Sequence, residues 1–195
     1  MGKFDKYFIT QTKPSQTLEE YGQDYESTNV EYPVNIDSEA DGKVPGAFYF
    51  SPHIVVRPTA KNAKSMKPHC HDFDEYMLFM SFDPTNPADL GGEVEFWIED
   101  EPHRFSKTTA IFIPRFTWHS PLIMRRVDRP FGFVIAGNTL RSAHLQFSPD
   151  PKYADAVAFD NIAEVSLGGK KYQVTKSYLE YLQWMMEKGR KNLPK

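Results

Sequence analysis

One cysteine, Cys70, is all that a chain of 195 residues carries, so an internal disulfide framework is excluded and a reducing compartment suits it. No apolar run approaches the roughly 20 residues that a membrane-spanning helix needs. The opening Met1-Gly-Lys-Phe-Asp5 has no signal-peptide core. Together these absences set the expectation of a cytoplasmic protein with no membrane partner. Charge of one sign is lacking too: 23 Lys and Arg stand against 26 Asp and Glu, for a formal charge of −3. Such a balance gives no general attraction to nucleic acid, and the short Arg125-Arg126 and Arg129 cluster reads as a surface hairpin. There is no Gly-x-Ser-x-Gly elbow, phosphate loop, Gly-x-Gly-x-x-Gly, His-Glu-x-x-His or Cys-x-x-Cys. Repeats and low-complexity tracts are absent as well.

Aromatic residues, by contrast, are plentiful: 15 Phe and 10 Tyr favour strands or a flat-walled pocket. The most informative stretch is Pro68-His-Cys-His-Asp-Phe-Asp-Glu-Tyr76, answered later by Pro114-Arg-Phe-Thr-Trp-His119. In an extended strand His69, His71 and Glu75 share one face, because alternate side chains point the same way. A helix would set the two histidines about 200° apart, and Pro68 argues against one. Two imidazoles and a carboxylate on one wall suit a divalent transition metal, with His119 the best-placed fourth donor. Cys70 has the opposite parity and reads as a small buried hydrophobe. Asp72 and Asp74 read as outward-facing, although a bulge after His71 would make Asp74 a rival carboxylate.

Along the chain, residues 1–46 form a polar N-terminal extension, with a capping box at Thr17-Leu-Glu-Glu20 and a loop from Asn35 to Gly46. Residues 47–137 form the barrel core. Ala47–Ser51 and Ile54–Arg57 read as strands broken at Pro52 and Pro58, followed by a strand through the histidines to Met80. Asp83–Gly92 reads as a loop. Glu93–Glu99 alternates, which puts Val94, Phe96 and Ile98 inside and Glu93, Glu95 and Glu99 in solvent. Strands follow at Thr108–Pro114, Leu122–Val127 and Phe131–Ala136. Short strands at regular spacing predict an all-β antiparallel barrel or sandwich. Residues 138–195 form a C-terminal extension ending in a helix, capped by Thr175 and closed at Gly189. Its apolar stripe is Leu179, Leu182, Met185 and Met186.

These motifs resemble those of the cupin superfamily. His69-Cys-His71, three residues and Glu75 match the core of its first motif, and Pro114 to His119 has the spacing of the second. The resemblance covers about Val55 to Ala136. It implies a double-stranded β-helix, a jelly-roll barrel, with a divalent Fe, Mn, Ni or Zn ion held by His69, His71, Glu75 and His119. The motif glycines are replaced by Ala63, Phe82 and Phe116, and Ile123 stands for the usual asparagine.

Such a site has one or two open positions for water, dioxygen or a substrate oxygen. The expected function is metal-dependent chemistry, oxygenase-type first, on a small oxygen-rich or aromatic acid. Isomerase, lyase or decarboxylase activity follows, and then a non-catalytic metabolite-binding cupin; the expected assembly is a homodimer. His53 is an acid–base candidate, and Arg57 and Arg115 are candidates for gripping a substrate carboxylate. Tyr49, Met77, Phe79, Trp118 and Phe133 are candidates for an aromatic pocket or core. His103 and His144 carry no signal above background.

Overall fold

The computed structural model describes residues 2–10, 30–31, 34, 44, 46–61, 65–158 and 162–191. The Thr17–Glu20 capping box, most of the Asn35–Gly46 loop and Ala63 lie outside the described residues. The strands are β1 (Val30–Glu31), β2 (Tyr49–Val55), β3 (His69–Cys70), β4 (Glu75–Ser81), β5 (Asp89–Ile98) and β6 (Glu101–Lys107). They continue as β7 (Thr109–Ile113), β8 (His119–Val127), β9 (Phe131–Gly137), β10 (Gln146–Phe147), β11 (Ile162–Leu167) and β12 (Lys170–Thr175), before helix α1 (Lys176–Lys191). Two five-stranded antiparallel sheets result, ordered β1-β2-β9-β4-β7 and β10-β3-β8-β5-β6; β11 and β12 form a separate hairpin. None of the described helices is long and apolar enough to cross a membrane.

The inward faces of the strands make the core, where Val55, Phe79, Leu90, Val94, Phe96 and Phe131 are at most 1% exposed. Each such side chain contributes roughly 1.5–3 kcal/mol by leaving water. Phe79 lies at the centre, stacked on Phe133 at 4.5 Å between ring centroids and edge-on to Phe105 at 5.1 Å.

Four local expectations are corrected. Pro52 does not break a strand: β2 runs through it, and β1 pairs only with Ile54 and Val55. Pro52 stands opposite Val134 of β9, and on its other side β1 does not reach it. The expected Asp83–Gly92 loop is partly strand, since β5 begins at Asp89; Gly91, at φ +77°, takes up the irregular register before Val94. Glu95 is not in solvent but 3% exposed. Arg125 Nη2 at 2.7 Å, Arg104 Nε at 2.7 Å and Trp97 Nε1 at 3.0 Å donate to its carboxylate. The Arg125 bond, with help from the others, holds the Glu95 carboxyl down at about 2. Ionised Glu95 thus adds stability above the ordinary carboxylate range, and that stability is lost as pH falls toward 2.

The fourth correction concerns α1. Thr175 caps it as expected, its Oγ1 accepting from Tyr178 N at 3.3 Å, but the helix continues past Gly189 to Lys191. Its packed face is also different. Tyr181 is 7% exposed, stacks on Trp184 and shares a hydrogen bond with Thr139, while the Tyr178 hydroxyl donates to Asp72 at 3.1 Å. Leu182, Met185 and Met186 are exposed. Tyrosines can satisfy polar partners while burying a ring, which the aliphatic stripe cannot.

Candidate metal centre

The expectation that His69, His71 and Glu75 share one strand is not what the chain does. His69 lies on β3 in one sheet and Glu75 opens β4 in the other, with residues 71–74 crossing between them. The three converge because the chain turns a corner at the mouth of the barrel. His119 arrives by pairing: it opens β8 and stands directly opposite His69 in the β3–β8 ladder. Ring centroids of His69 lie 4.4 Å from His119 and 5.0 Å from His71, and those of His71 and His119 lie 5.1 Å apart. All four side chains are at most 6% exposed.

Each imidazole is held the same way. Nδ1 donates to a backbone carbonyl: His69 to Lys67 at 2.9 Å, His71 to Ala143 at 2.6 Å, and His119 to Thr117 at 3.0 Å. With the proton on Nδ1, each Nε2 is left with its lone pair for a cation, the usual tautomer-fixing arrangement around a metal. Glu75 sits below them, its Oε2 at 3.2 Å from His119 Nε2 and its Oε1 at 4.0 Å from His71 Nε2. Glu75 Oε2 and His119 Nε2 are buried, and neither has a hydrogen-bond partner among the described residues. Orphaned atoms of this kind cost roughly 1–3 kcal/mol each unless something completes them. A divalent cation fits that need.

The electrostatics suit the same role. Burial pushes the His69 pKa well down, with neighbouring imidazoles adding to the effect. Burial also takes His71 to about 3, against the pull of Glu75. For Glu75, burial favours the neutral acid, but His119 and His71 outweigh it and hold the carboxyl below its ordinary value. Burial likewise opposes charge on His119, yet the Glu75 carboxylate keeps its pKa raised. At neutral pH the cluster therefore offers neutral His69 and His71 beside a carboxylate.

Supporting contacts lock the corner. Phe73 stacks on His71 at 4.6 Å, and a Cβ on Gly137 would strike the Phe73 ring at 2.8 Å. Asp74 is not a rival ligand: its carboxylate accepts from Arg115 Nε at 3.1 Å, Arg115 Nη2 at 2.9 Å and Asn138. Phe116, where the motif has glycine, keeps the left-handed backbone at φ +66°, and its N–H donates to the His71 carbonyl at 2.7 Å. That conformation costs a non-glycine residue about 1–2 kcal/mol. Phe116→Gly is expected to stabilise the protein by a net ~0.5–1 kcal/mol after glycine's entropy is counted, read as a raised urea midpoint. A lowered midpoint would contradict the strain.

Two extended sheets closed face to face, with three histidines and a glutamate at one mouth, match what the motifs imply. The fold is all-β, two antiparallel sheets followed by a C-terminal helix. No protein-family model matches the chain, and no curated protein does. Among solved structures, an oxalate oxidase is similar over 67% of this chain and 61% of its own, with 14% identity and TM-score 0.40. A cupin-superfamily sugar phosphate isomerase from Silicibacter pomeroyi is similar over 86% of both chains, with 12% identity and TM-score 0.43. The DMSP lyase DddQ from Ruegeria pomeroyi is similar over 70% of this chain and 60% of its own, with 20% identity and TM-score 0.40. The chain thus spans about three-fifths of the oxalate oxidase and DMSP lyase chains.

The remaining candidates are not brought to the cluster. His53 is buried, with Nδ1 at 3.2 Å from the Phe133 carbonyl and Nε2 at 3.3 Å from Ser51 Oγ. Its row partner Phe133 lies four residues along β9 from Gly137, the partner of Glu75, hence roughly 13 Å along the strand. Arg57 is exposed, and Arg115 is engaged with Asp74 at the surface. Met77, Phe79 and Phe133 are core, while Tyr49 and Trp118 are half-buried. Burial pushes the Cys70 thiol up to about 11, so it is no thiolate ligand. One residue was missed. His144, which has no spacing relation to either motif, places its ring 4.5 Å from His69 and 5.2 Å from His71.

Proposed function

We propose that this protein is a metal-dependent enzyme acting on a small oxygen-rich or aromatic acid, with oxygenase-type chemistry at a site formed by His69, His71, Glu75 and His119. The observation that carries the reading is the orphaned Glu75 Oε2 and His119 Nε2, facing each other among imidazoles whose Nδ1 atoms are all tied back. A divalent ion held there supplies a Lewis-acid centre or, as iron, dioxygen chemistry. Three neutral imidazoles and one carboxylate leave it a net charge of +1, which favours an anionic oxygen donor. The chain's own part is to fix the Nε2 atoms, keep Glu75 ionised and line the barrel below with apolar rings that exclude water.

A second reading, isomerase, lyase or decarboxylase chemistry, is favoured by His144, which offers a donor atom within 4.8 Å of those of His69 and His71 and would fill a position an oxygenase leaves open. The reading also carries a homodimer. Phe50, Tyr76 and Phe112 lie in one register row on the outer face of the first sheet, 41%, 51% and 53% exposed.

Iron-loaded protein incubated with a panel of small carboxylic acids tests the choice. Oxygen uptake coupled to product supports the oxygenase reading. Product formed equally without oxygen moves the assignment to the second, and saturable binding without product leaves a metabolite-binding cupin.

A further inference from the structure

We propose that His144 is a fifth protein ligand, delivered to the metal centre by the segment that follows the barrel. The proposal rests on the metal reading above and deepens it. Two trios of side chains can each hold an ion with donor atoms within 4.8 Å of one another: His71, Glu75 and His119, and His69, His71 and His144. They meet at His71. An ion bound by the four motif residues would thus sit beside a fourth imidazole, a fifth donor side chain that belongs to neither motif.

The placement is built, because the residues on either side of His144 are tied to Cys70 and His71. Ala143 accepts from His71 Nδ1 at 2.6 Å, so the same loop orients one ligand and presents another. Leu145 N donates to the Cys70 carbonyl at 2.9 Å, and β10 then pairs with β3, Phe147 opposite His69. The Phe147 ring lies 5.1 Å from that of His144 and walls it in. On the other side stands Thr175, fully buried. Its Oγ1 donates to the His144 carbonyl, its N–H donates to the Leu145 carbonyl at 3.0 Å, and its hydroxyl caps α1. The hairpin–helix junction thus grips His144 by its own backbone. An imidazole fixed this way meets the ion with little ordering cost.

The consequence is chemical. Four motif ligands leave two positions on an octahedral ion; five leave one. The site would take its acid through a single oxygen, as a monodentate carboxylate or hydroxyl, and would not hold a chelating acid and dioxygen together.

Cobalt(II) is the probe. Wild type, His144→Ala, Thr175→Val and Thr175→Ser are titrated against a chromophoric chelator while the visible d–d spectrum is recorded, and X-ray absorption counts the imidazoles. Wild type is expected to bind one cobalt with four imidazoles. His144→Ala is expected to lose one imidazole from that count, change the spectrum and raise Kd on the order of a hundredfold. Thr175→Val is expected to shift the spectrum and raise Kd about tenfold, with Thr175→Ser restoring both. The Thr175 pair keeps the test decisive if His144→Ala does not fold. Wild-type affinity, spectrum and imidazole count in His144→Ala would overturn the fifth ligand while leaving the metal reading standing. Failure of wild type to bind cobalt would overturn both.

Discussion

Replacing Glu75 with Gln is expected to weaken divalent-metal binding by about 10²- to 10³-fold, roughly one ligand's share of a four-ligand site, while the metal-free protein loses the stability that ionised Glu75 draws from His119 and His71 at neutral pH. The two halves of that result have one cause. Glu75 is 6% exposed, and its Oε2 has no hydrogen-bond partner among the described residues. Without a cation, the carboxylate is offset only by the His119 and His71 imidazoles, which outweigh its desolvation and hold it ionised, and a neutral amide of the same shape gives up that attraction. His119→Ala should lose affinity to a similar degree and more stability, since it removes a packed ring and strands the carboxylate. Metal titration and thermal melts of apo protein, run on both variants, check this. An apo Glu75→Gln protein as stable as wild type, or more so, would contradict that attraction.

Phe79→Ala is expected to cost about 3–5 kcal/mol, a large part of the stability of an ordinary domain. The ring is wholly buried and touches both sheets, stacked on Phe133 in β9 and edge-on to Phe105 in β6. Truncation leaves a cavity whose walls are pinned by strand pairing and cannot collapse. Denaturant unfolding should show a lowered midpoint with little change in slope, and a fall in melting temperature on the order of 10 °C. A cost below 1 kcal/mol would show that the sheets are not clamped around this ring.

Much of this is legible in the residues, though strand alternation is not the physical reason for it. The spacing of His69, His71, Glu75 and His119 named the residues that meet, but period-two alternation was the wrong reason. The chain leaves one sheet after Cys70 and enters the other at Glu75, so a corner does what a single strand was expected to do. Alternation also placed Glu95 on the outer face correctly, yet could not foresee that Arg104, Arg125 and Trp97 would cover it, because those residues come from elsewhere in the chain. The helix shows the same limit. Its aliphatic stripe and its aromatic face are both apolar at helical spacing, and only the tertiary partners Asp72 and Thr139 decide which is packed. His144 had no local signal at all. Its position is made by β10 pairing with β3 and by the grip of Thr175, both non-local.

The central claim is that four side chains from β3, the corner after it, β4 and β8 bind one ion. Metal analysis of protein reconstituted with iron, manganese, nickel or zinc and then desalted tests it most directly. The account predicts close to one equivalent of at least one of these metals in wild type and a small fraction of that in Glu75→Gln. Less than about a tenth of an equivalent of every metal in the folded wild type would contradict it.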